Sequence, residues 1–188
     1  MIDLLPQEIL LEVFDYLPSK DLLALTLTLK PFNLIISSSN HLSKRLEVHF
    51  VSEHKSLAWS GLRKYSKFYL EGSPAKFFLP IFRAIHADVV ELCVTCVQME
   101  ATVLKEILIL CKNLKKLTIK NNRIAYLQED FDAPLPTLNL DILHYRNYTD
   151  QSTKIFNLLM GCQTKELIVF GFTSNCEELR KFMNLQKK

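Results

Sequence analysis

Two cysteines in Cys93-Val-Thr-Cys96 have the C-x-x-C spacing of redox dithiols and zinc ligands. They fall in a run that reads as a strand, where side chains three apart point to opposite faces. Such a pair cannot share one ion or form a dithiol at a helix start. No second C-x-x-C and no paired histidine follows at zinc spacing. His41, His49, His54, His86 and His144 are scattered, with no arrangement of nucleophile and base. The G-x-S-x-G, G-x-x-x-x-G-K-[ST] and G-x-G-x-x-G patterns are absent, and four glycines leave little for phosphate cradles. Lys120 and Arg146 have the chemistry to hold a phosphate, although two basic residues on a sheet are more often just solvated. The expectation is a protein with no catalytic residue, no metal and no cofactor, whose chemistry is binding.

Composition narrows the partners. The 188 residues allow one compact domain, or a small module attached to a larger one. With 48% hydrophobic and 23% charged residues, the chain is ordinary for a folded soluble protein. A formal charge of +3 is too small to argue for nucleic acid. The densest basic stretch, Lys112, Lys115, Lys116, Lys120 and Arg123, reads as a solvated face. No apolar run reaches the roughly 18 residues of a membrane span. Asp3, Glu8 and Glu12 stand where a signal peptide would carry a basic leader. Five cysteines, an odd number, fit a reducing cytoplasm or nucleus better than a disulfide framework. The sequon Asn147-Tyr148-Thr149 is then expected to be silent.

The elements behind these residues repeat. Five windows fit the strand pattern L-x-x-L-x-L: Tyr65-x-x-Phe68-x-Leu70, Val89-x-x-Leu92-x-Val94, Leu114-x-x-Leu117-x-Ile119, Leu140-x-x-Leu143-x-Tyr145 and Thr164-x-x-Leu167-x-Val169. Their central residues are 24, 25, 26 and 24 apart, inside the 20–29-residue period of leucine-rich repeats. Only the third window continues to Asn122, the asparagine that satisfies backbone groups as the chain leaves the strand. Residues 75–87, 101–111, 153–160 and 176–185 have helical apolar spacing, while 123–136 reads as a loop. A small doubly wound sheet is the other architecture with this alternation. Units of about 25 residues are short for βαβ crossovers, which favours a solenoid.

Alternation along the strands assigns the open face. Its residues are Lys67, Tyr69 and Glu71; Glu91, Cys93 and Thr95; Lys116, Thr118 and Lys120; Ile142, His144 and Arg146; Glu166, Ile168 and Phe170. Ile142, Ile168 and Phe170 belong to adjacent strands, and an apolar cluster on an open sheet marks a binding surface. Tyr69, Ile142, His144, Arg146, Ile168 and Phe170 are the candidate residues of a protein-binding patch. The competing expectation is that the terminal helix covers this patch.

The N-terminus is helical and has more apolar surface than one core needs. From Ile9, a 100° step places Tyr16, Ile9, Val13, Leu17, Leu10 and Phe14 on an arc of roughly 160°, against about 100° for a helix serving one core. Ser19 is an N-cap candidate and Leu22–Lys30 continues as helix. Leu22, Leu25 and Leu29 line one stripe and Leu23 and Leu27 another. A third piece, Pro31–Ile36, ends at the turn 37–40. Three helices in about 45 residues are near the size below which a domain seldom stabilises itself. Spare leucines there imply docking, either on the rest of the chain or on a partner. Trp59, in 55–62, fits a hinge or a cap between this module and the repeats.

Leu5-Pro6-x-Glu8-Ile9-Leu10, Val13-Phe14-x-Tyr16-Leu17, Asp21-Leu22-Leu23 and Lys30 resemble the F-box. The F-box docks on Skp, the small adaptor subunit of cullin-RING ubiquitin ligases. Where that family usually has Val-Cys-Lys-x-Trp, this chain has Thr28-Leu29-Lys30-Pro31-Phe32, and Leu42 stands where a second Trp is common. Together with the repeating strand windows, the resemblance gives an α+β repeat protein as the expected fold. Residues 1–46 would form a three-helix F-box and 47–64 a linker or capping segment. Residues 65–188 would form a short, irregular leucine-rich-repeat solenoid of about five strand–helix or strand–loop units. It further implies an adaptor-binding set of Leu5, Pro6, Ile9, Leu10, Phe14, Leu17, Leu22 and Leu23. The repeats would hold an unidentified protein substrate for the ligase core, with no nucleic acid and no membrane involved. The alternative is a plain repeat scaffold whose N-terminal helices only cap the solenoid.

Overall fold

The computed structural model describes residues 5–51, 65–72, 79–80, 82–83, 86–125, 137–146, 154–171 and 176–186. Prolines punctuate the N-terminal helices. Helix α1 (Gln7–Asp15) follows Pro6, which serves as its N-cap residue, and Glu8 in the first turn complements the helix dipole. Pro18 is the N-cap of α2 (Ser19–Thr28), one residue before the expected Ser19. The break into α3 (Lys30–Ser38) falls at Leu29, in extended conformation, earlier than the expected helix end at Lys30. The reason is Pro31: in the first turn of α3 its missing N–H costs nothing, whereas inside α2 it would remove a bond. Of the turn expected at 37–40, the first two residues complete α3 and Asn40 opens a fourth helix, α4 (Asn40–Ser43). The Ser39 hydroxyl caps it by accepting from the Leu42 N–H at 3.3 Å.

These helices have a core of their own that runs on into the sheet. Leu10, Phe14, Leu22, Phe32, Ile36, Leu42 and Leu46 are buried and join one cluster with Val48 and Phe50. Phe14 meets Phe32 edge to face with ring centroids 5.5 Å apart. Arg45 fastens the end of α1 from outside, its guanidinium donating to the Asp15 carbonyl at 2.9 Å and to the Leu17 carbonyl. Carbonyls at a helix end lack partners within the helix, and a cation there also complements the dipole.

Six strands follow in one parallel sheet: β1 (Glu47–Val51), β2 (Lys67–Glu71), β3 (Glu91–Thr95), β5 (Lys116–Lys120), β7 (Leu138–Arg146) and β8 (Cys162–Phe170). Short strands β4 (Gln98–Glu100) and β6 (Arg123–Ala125) pair separately. The central residues of all five expected windows are register partners, Phe68, Leu92, Leu117, Leu143 and Leu167 in order across the sheet. Strand β1 lies in the segment 47–64 that reads as a linker, with Val48 beside Phe68. Its window starts with Arg45 instead of a leucine, because that residue is recruited to the end of α1.

The inward row is buried from Val48 to Leu143, and each fully buried Leu or Phe contributes about 1.5–3 kcal/mol. Helix α5 (Ala101–Leu110) contributes Ala101, Leu104, Ile107 and Leu108 to this core. Phe82 packs edge-on against Phe68 at 4.9 Å. Helix α6 (Ile155–Leu158), with the turn Leu159–Gly161, and α7 (Glu177–Leu185) back the last two strands, where Phe156 meets Phe182 at 5.5 Å. Outward residues are half-buried or exposed, apart from Thr118. A doubly wound sheet has both faces covered; among the described residues, no element covers the outer face of this one. Trp59 and residues 126–136 of the expected loop lie outside the described residues.

The turn off each strand repeats as well. Gly72, Cys96, Asn121 and Gly171 stand four residues after Phe68, Leu92, Leu117 and Leu167, with φ of 64°, 55°, 50° and 89°. The left-handed region costs an L side chain roughly 1–2 kcal/mol, except Asn and Gly, which visit it readily. Cys96 alone among the four is poorly suited to it. Cys96→Gly is expected to keep or raise stability by up to about 1 kcal/mol, and Cys96→Val to lower it by about 1–2 kcal/mol. Guanidinium unfolding midpoints check both. Asn122, the next residue, accepts from the Val97 N–H at 2.7 Å and donates to the Val94 carbonyl at 2.8 Å. This is the backbone bridge expected of it from sequence.

Candidate docking surfaces

The eight candidate adaptor residues divide between two faces. Leu10, Phe14 and Leu22 are at most 3% exposed and belong to the core. They cannot touch a partner unless the helices open, so they back the surface and do not form it. Leu17 and Leu23 are half-buried, and Leu5, Pro6 and Ile9 are exposed. Ile9 shares its face with Val13 and Tyr16, which are 37% and 90% exposed and were missing from the expected set. At 100° per residue the three fall within an arc of about 60° on α1. Leu27 on α2 and Leu34 on α3 are exposed too. The signal for this stripe was in the sequence, since the 160° arc had to face two ways. Which half met the core depended on where α3 lay.

The open face of the sheet is the second surface. Its β7 and β8 candidates are neighbours: His144 is the register partner of Ile168, and Arg146 that of Phe170, while Ile142 lies beside Glu166. The apolar cluster expected there is therefore interleaved with charge. Ile142 and Ile168 are half-buried and Phe170 is 54% exposed. Helix α7 leaves Phe170 open. Tyr69 is not part of this group, because β3 and β5 separate β2 from β7, about 14 Å at the usual strand spacing. It stacks instead on His49 of β1, with ring centroids 4.4 Å apart and planes 7° from parallel. That contact was not foreseeable while β1 was read as linker. Burial, then the charges of Glu91 and Glu47, push the Tyr69 phenol up to about 12, so it stays neutral.

Charge is unevenly spread over this face. Glu47, Glu71 and Glu91 lie on β1–β3 together with Lys67, whereas Lys116, Lys120 and Arg146 lie on β5 and β7 with Glu166 beyond them on β8; Lys116 pairs with Glu91 at 2.8 Å across β3 and β5. His144 sits among the cations. Burial, and then Lys120, Arg146 and Lys116, hold its imidazole below the ordinary value of 6.5. The unfolded chain then binds the proton more readily, so stability is full above about 6.5 and declines as pH falls through the folded value. Thermal midpoints are expected to fall between pH 7.5 and 5, and less so for His144→Gln. The lowered carboxyls of Glu106, Asp141 and Glu177 start from 4.5 or below and act only at lower pH.

Of the C-x-x-C pair, Cys93 lies on the open face and Cys96 in the exposed turn beyond β3. Neither has the other's face, as the strand period requires.

The first surface has a counterpart among known families. A family model for F-box-like domains matches residues 2–49. That span holds α1 to α4 and the start of β1, including the exposed stripe of Ile9, Val13 and Tyr16. F-box-like domains bind the Skp adaptor of SCF-type ubiquitin ligases, and this module has the N-terminal helices such a domain needs. No curated protein and no solved structure matches the chain. Beyond the F-box-like module, the sheet is read from its own geometry.

Proposed function

We propose that this chain is the substrate-receptor subunit of an SCF-type ubiquitin ligase, acting in the cytoplasm or nucleus. The F-box-like module holds the Skp adaptor through Leu5, Pro6 and Ile9, joined by Val13 and Tyr16. The sheet and its backing helices are a short, irregular leucine-rich-repeat solenoid with one more strand than the sequence pattern counts. Its open face holds a protein substrate. The chain catalyses nothing itself, and its mechanism is positional. Two docking surfaces on one body turn two binding events into a high local concentration of substrate lysines near charged ubiquitin. The observation that carries the reading is the exposed apolar stripe of α1 inside the F-box-like match.

A capping role for the helices has support of its own, because one core runs from Leu10 through Val48 into the sheet. The two roles use opposite faces of α1 and are compatible. For that reason deletion of residues 1–50 does not separate them: it strips β1 and the cap together. Co-expression does. The full chain should co-elute with the Skp adaptor as a one-to-one complex, and Ile9→Asp with Tyr16→Asp should abolish it while the chain stays folded. A wild-type chain that stays soluble and monodisperse yet ignores the adaptor leaves only the scaffold reading.

A further inference from the structure

Successive strands of the sheet present the same backbone groups to the next. The Ser66 carbonyl accepts from the N–H groups of Val90 and Glu91, that of Val90 from Lys115 and Lys116, and that of Lys115 from Asp141 and Ile142. At the other end, the N–H groups of Gly72, Cys96 and Asn121 donate to the carbonyls of Thr95, Lys120 and Arg146. The equivalent run on β8 goes from the Lys165 carbonyl through Leu167 and Val169 to the Gly171 N–H, and it points away from β7. No strand among the described residues receives it, because β8 ends the sheet. The apolar row ends with the same deficit. Leu143 and Tyr145 are at most 1% exposed, whereas their partners Leu167 and Val169 are only half-buried. An open solenoid end of this kind leaves apolar surface in water.

The first part of the edge is closed. The Gln186 side chain accepts from the Thr164 N–H at 2.8 Å and donates to the Cys162 carbonyl at 3.0 Å, as a next strand would. Beyond Thr164 no such plug stands among the described residues, and Leu167, Ile168, Val169 and Phe170 are all apolar. Proteins protect edges of this type or pair them.

We propose that the edge of β8 is a homodimer interface, in which two copies pair antiparallel about a two-fold axis at Ile168. The edge selects a second copy because it is complementary to itself. With the axis there, Leu167 lies opposite the partner's Val169 and exchanges two hydrogen bonds with it, while the Lys165 carbonyl takes the N–H of the partner's Gly171. Moving the axis by one residue leaves the Lys165 carbonyl or the Gly171 N–H outside the ladder. On the open face Ile168 meets itself at the close spacing of about 4.5 Å, and Glu166 meets Phe170. No like charges face each other, a pairing that would oppose association. Leu167 and Val169 gain the apolar cover they lack. The F-box-like helices lie beyond β1 at the far edge of each sheet, so adaptor docking and dimerisation use separate surfaces. The inference goes beyond the ligase reading and does not depend on it.

Sedimentation equilibrium of the full chain between about 1 and 100 µM should reach the mass of two chains. Ile168→Lys and Ile168→Glu should each weaken self-association at least about tenfold, because like charges then meet at the axis. Mixed one to one, the two variants should form a heterodimer, a recovery that only folded chains can show. Ile168→Cys, which keeps the strand apolar, should cross-link to itself under oxidised glutathione far faster than wild type, since a Cα spacing of about 4.5 Å lies within disulfide range. A wild-type chain still monomeric at about 100 µM overturns the proposal and leaves the edge to a strand of another protein. So does a dimer that Ile168→Lys leaves at wild-type strength, or an Ile168→Cys chain that cross-links no faster than wild type.

Discussion

Phe14→Ala is expected to lower the stability of the chain by about 3–5 kcal/mol, and Leu10→Ala by about 2–5 kcal/mol. Tyr16→Ala, two residues from Phe14, is expected to change it by less than about 0.5 kcal/mol. The contrast follows from burial alone: Phe14 is 1% exposed and packed edge-on against Phe32, while Tyr16 is 90% exposed. Domains have about 5–15 kcal/mol in total, so either core truncation is a large loss and the pair together is expected to unfold the helical module. Urea or guanidinium titration followed by circular dichroism measures all three variants. Similar losses for Phe14→Ala and Tyr16→Ala would mean that α1 is turned differently on its core. This ordering also decides how adaptor binding is to be tested. A variant at Leu10 or Phe14 loses binding by losing the fold and says nothing about contact.

Asn122→Ala carries the second large effect. Its amide side chain bridges the Val97 N–H and the Val94 carbonyl, joining the turn after β5 to the turn after β3. Both groups are inside, and an alanine leaves a buried donor and a buried acceptor unpaired. Each such group costs about 1–3 kcal/mol, so a total loss of about 2–4 kcal/mol is expected. Asn122→Asp keeps the acceptor for Val97 but sets an oxygen against the Val94 carbonyl, so it is expected to destabilise as well. Because the bridge ties neighbouring units together, the loss should appear as a lower midpoint of the whole sheet. A change under about 0.5 kcal/mol, the usual scale for surface substitutions, would show that the bridge contributes nothing.

Much of this architecture was written in short-range patterns. The windows from Tyr65 to Val169 could be aligned because inward residues alternate with period two and the turns recur at nearly constant length. Asn122 announced its own role, since an asparagine at the end of such a strand has few other uses. Strand β1 escaped because Arg45 breaks the pattern in order to hold Asp15 and Leu17, a contact nearly thirty residues back in the chain. Pattern reading has no access to a contact at that range. The adaptor residues failed halfway for a different reason. A helix with apolar surface on two sides says that two partners exist, but the choice between Leu10–Phe14 and Ile9–Val13–Tyr16 is made by Phe32 on another helix. On the open face, the interleaving of Arg146 with Phe170 and of His144 with Ile168 followed once the register was known. The isolation of Tyr69 followed too, from simple counting of strands.

The most direct test of the central claim is a calorimetric titration of the full chain with purified Skp adaptor, wild type against Ile9→Asp with Tyr16→Asp. The account predicts saturable one-to-one binding by wild type. It predicts a loss of at least about a hundredfold, or about 2.7 kcal/mol, in the variant, at an unchanged melting temperature. Equal affinity for the two proteins, or no binding by wild type, would contradict it.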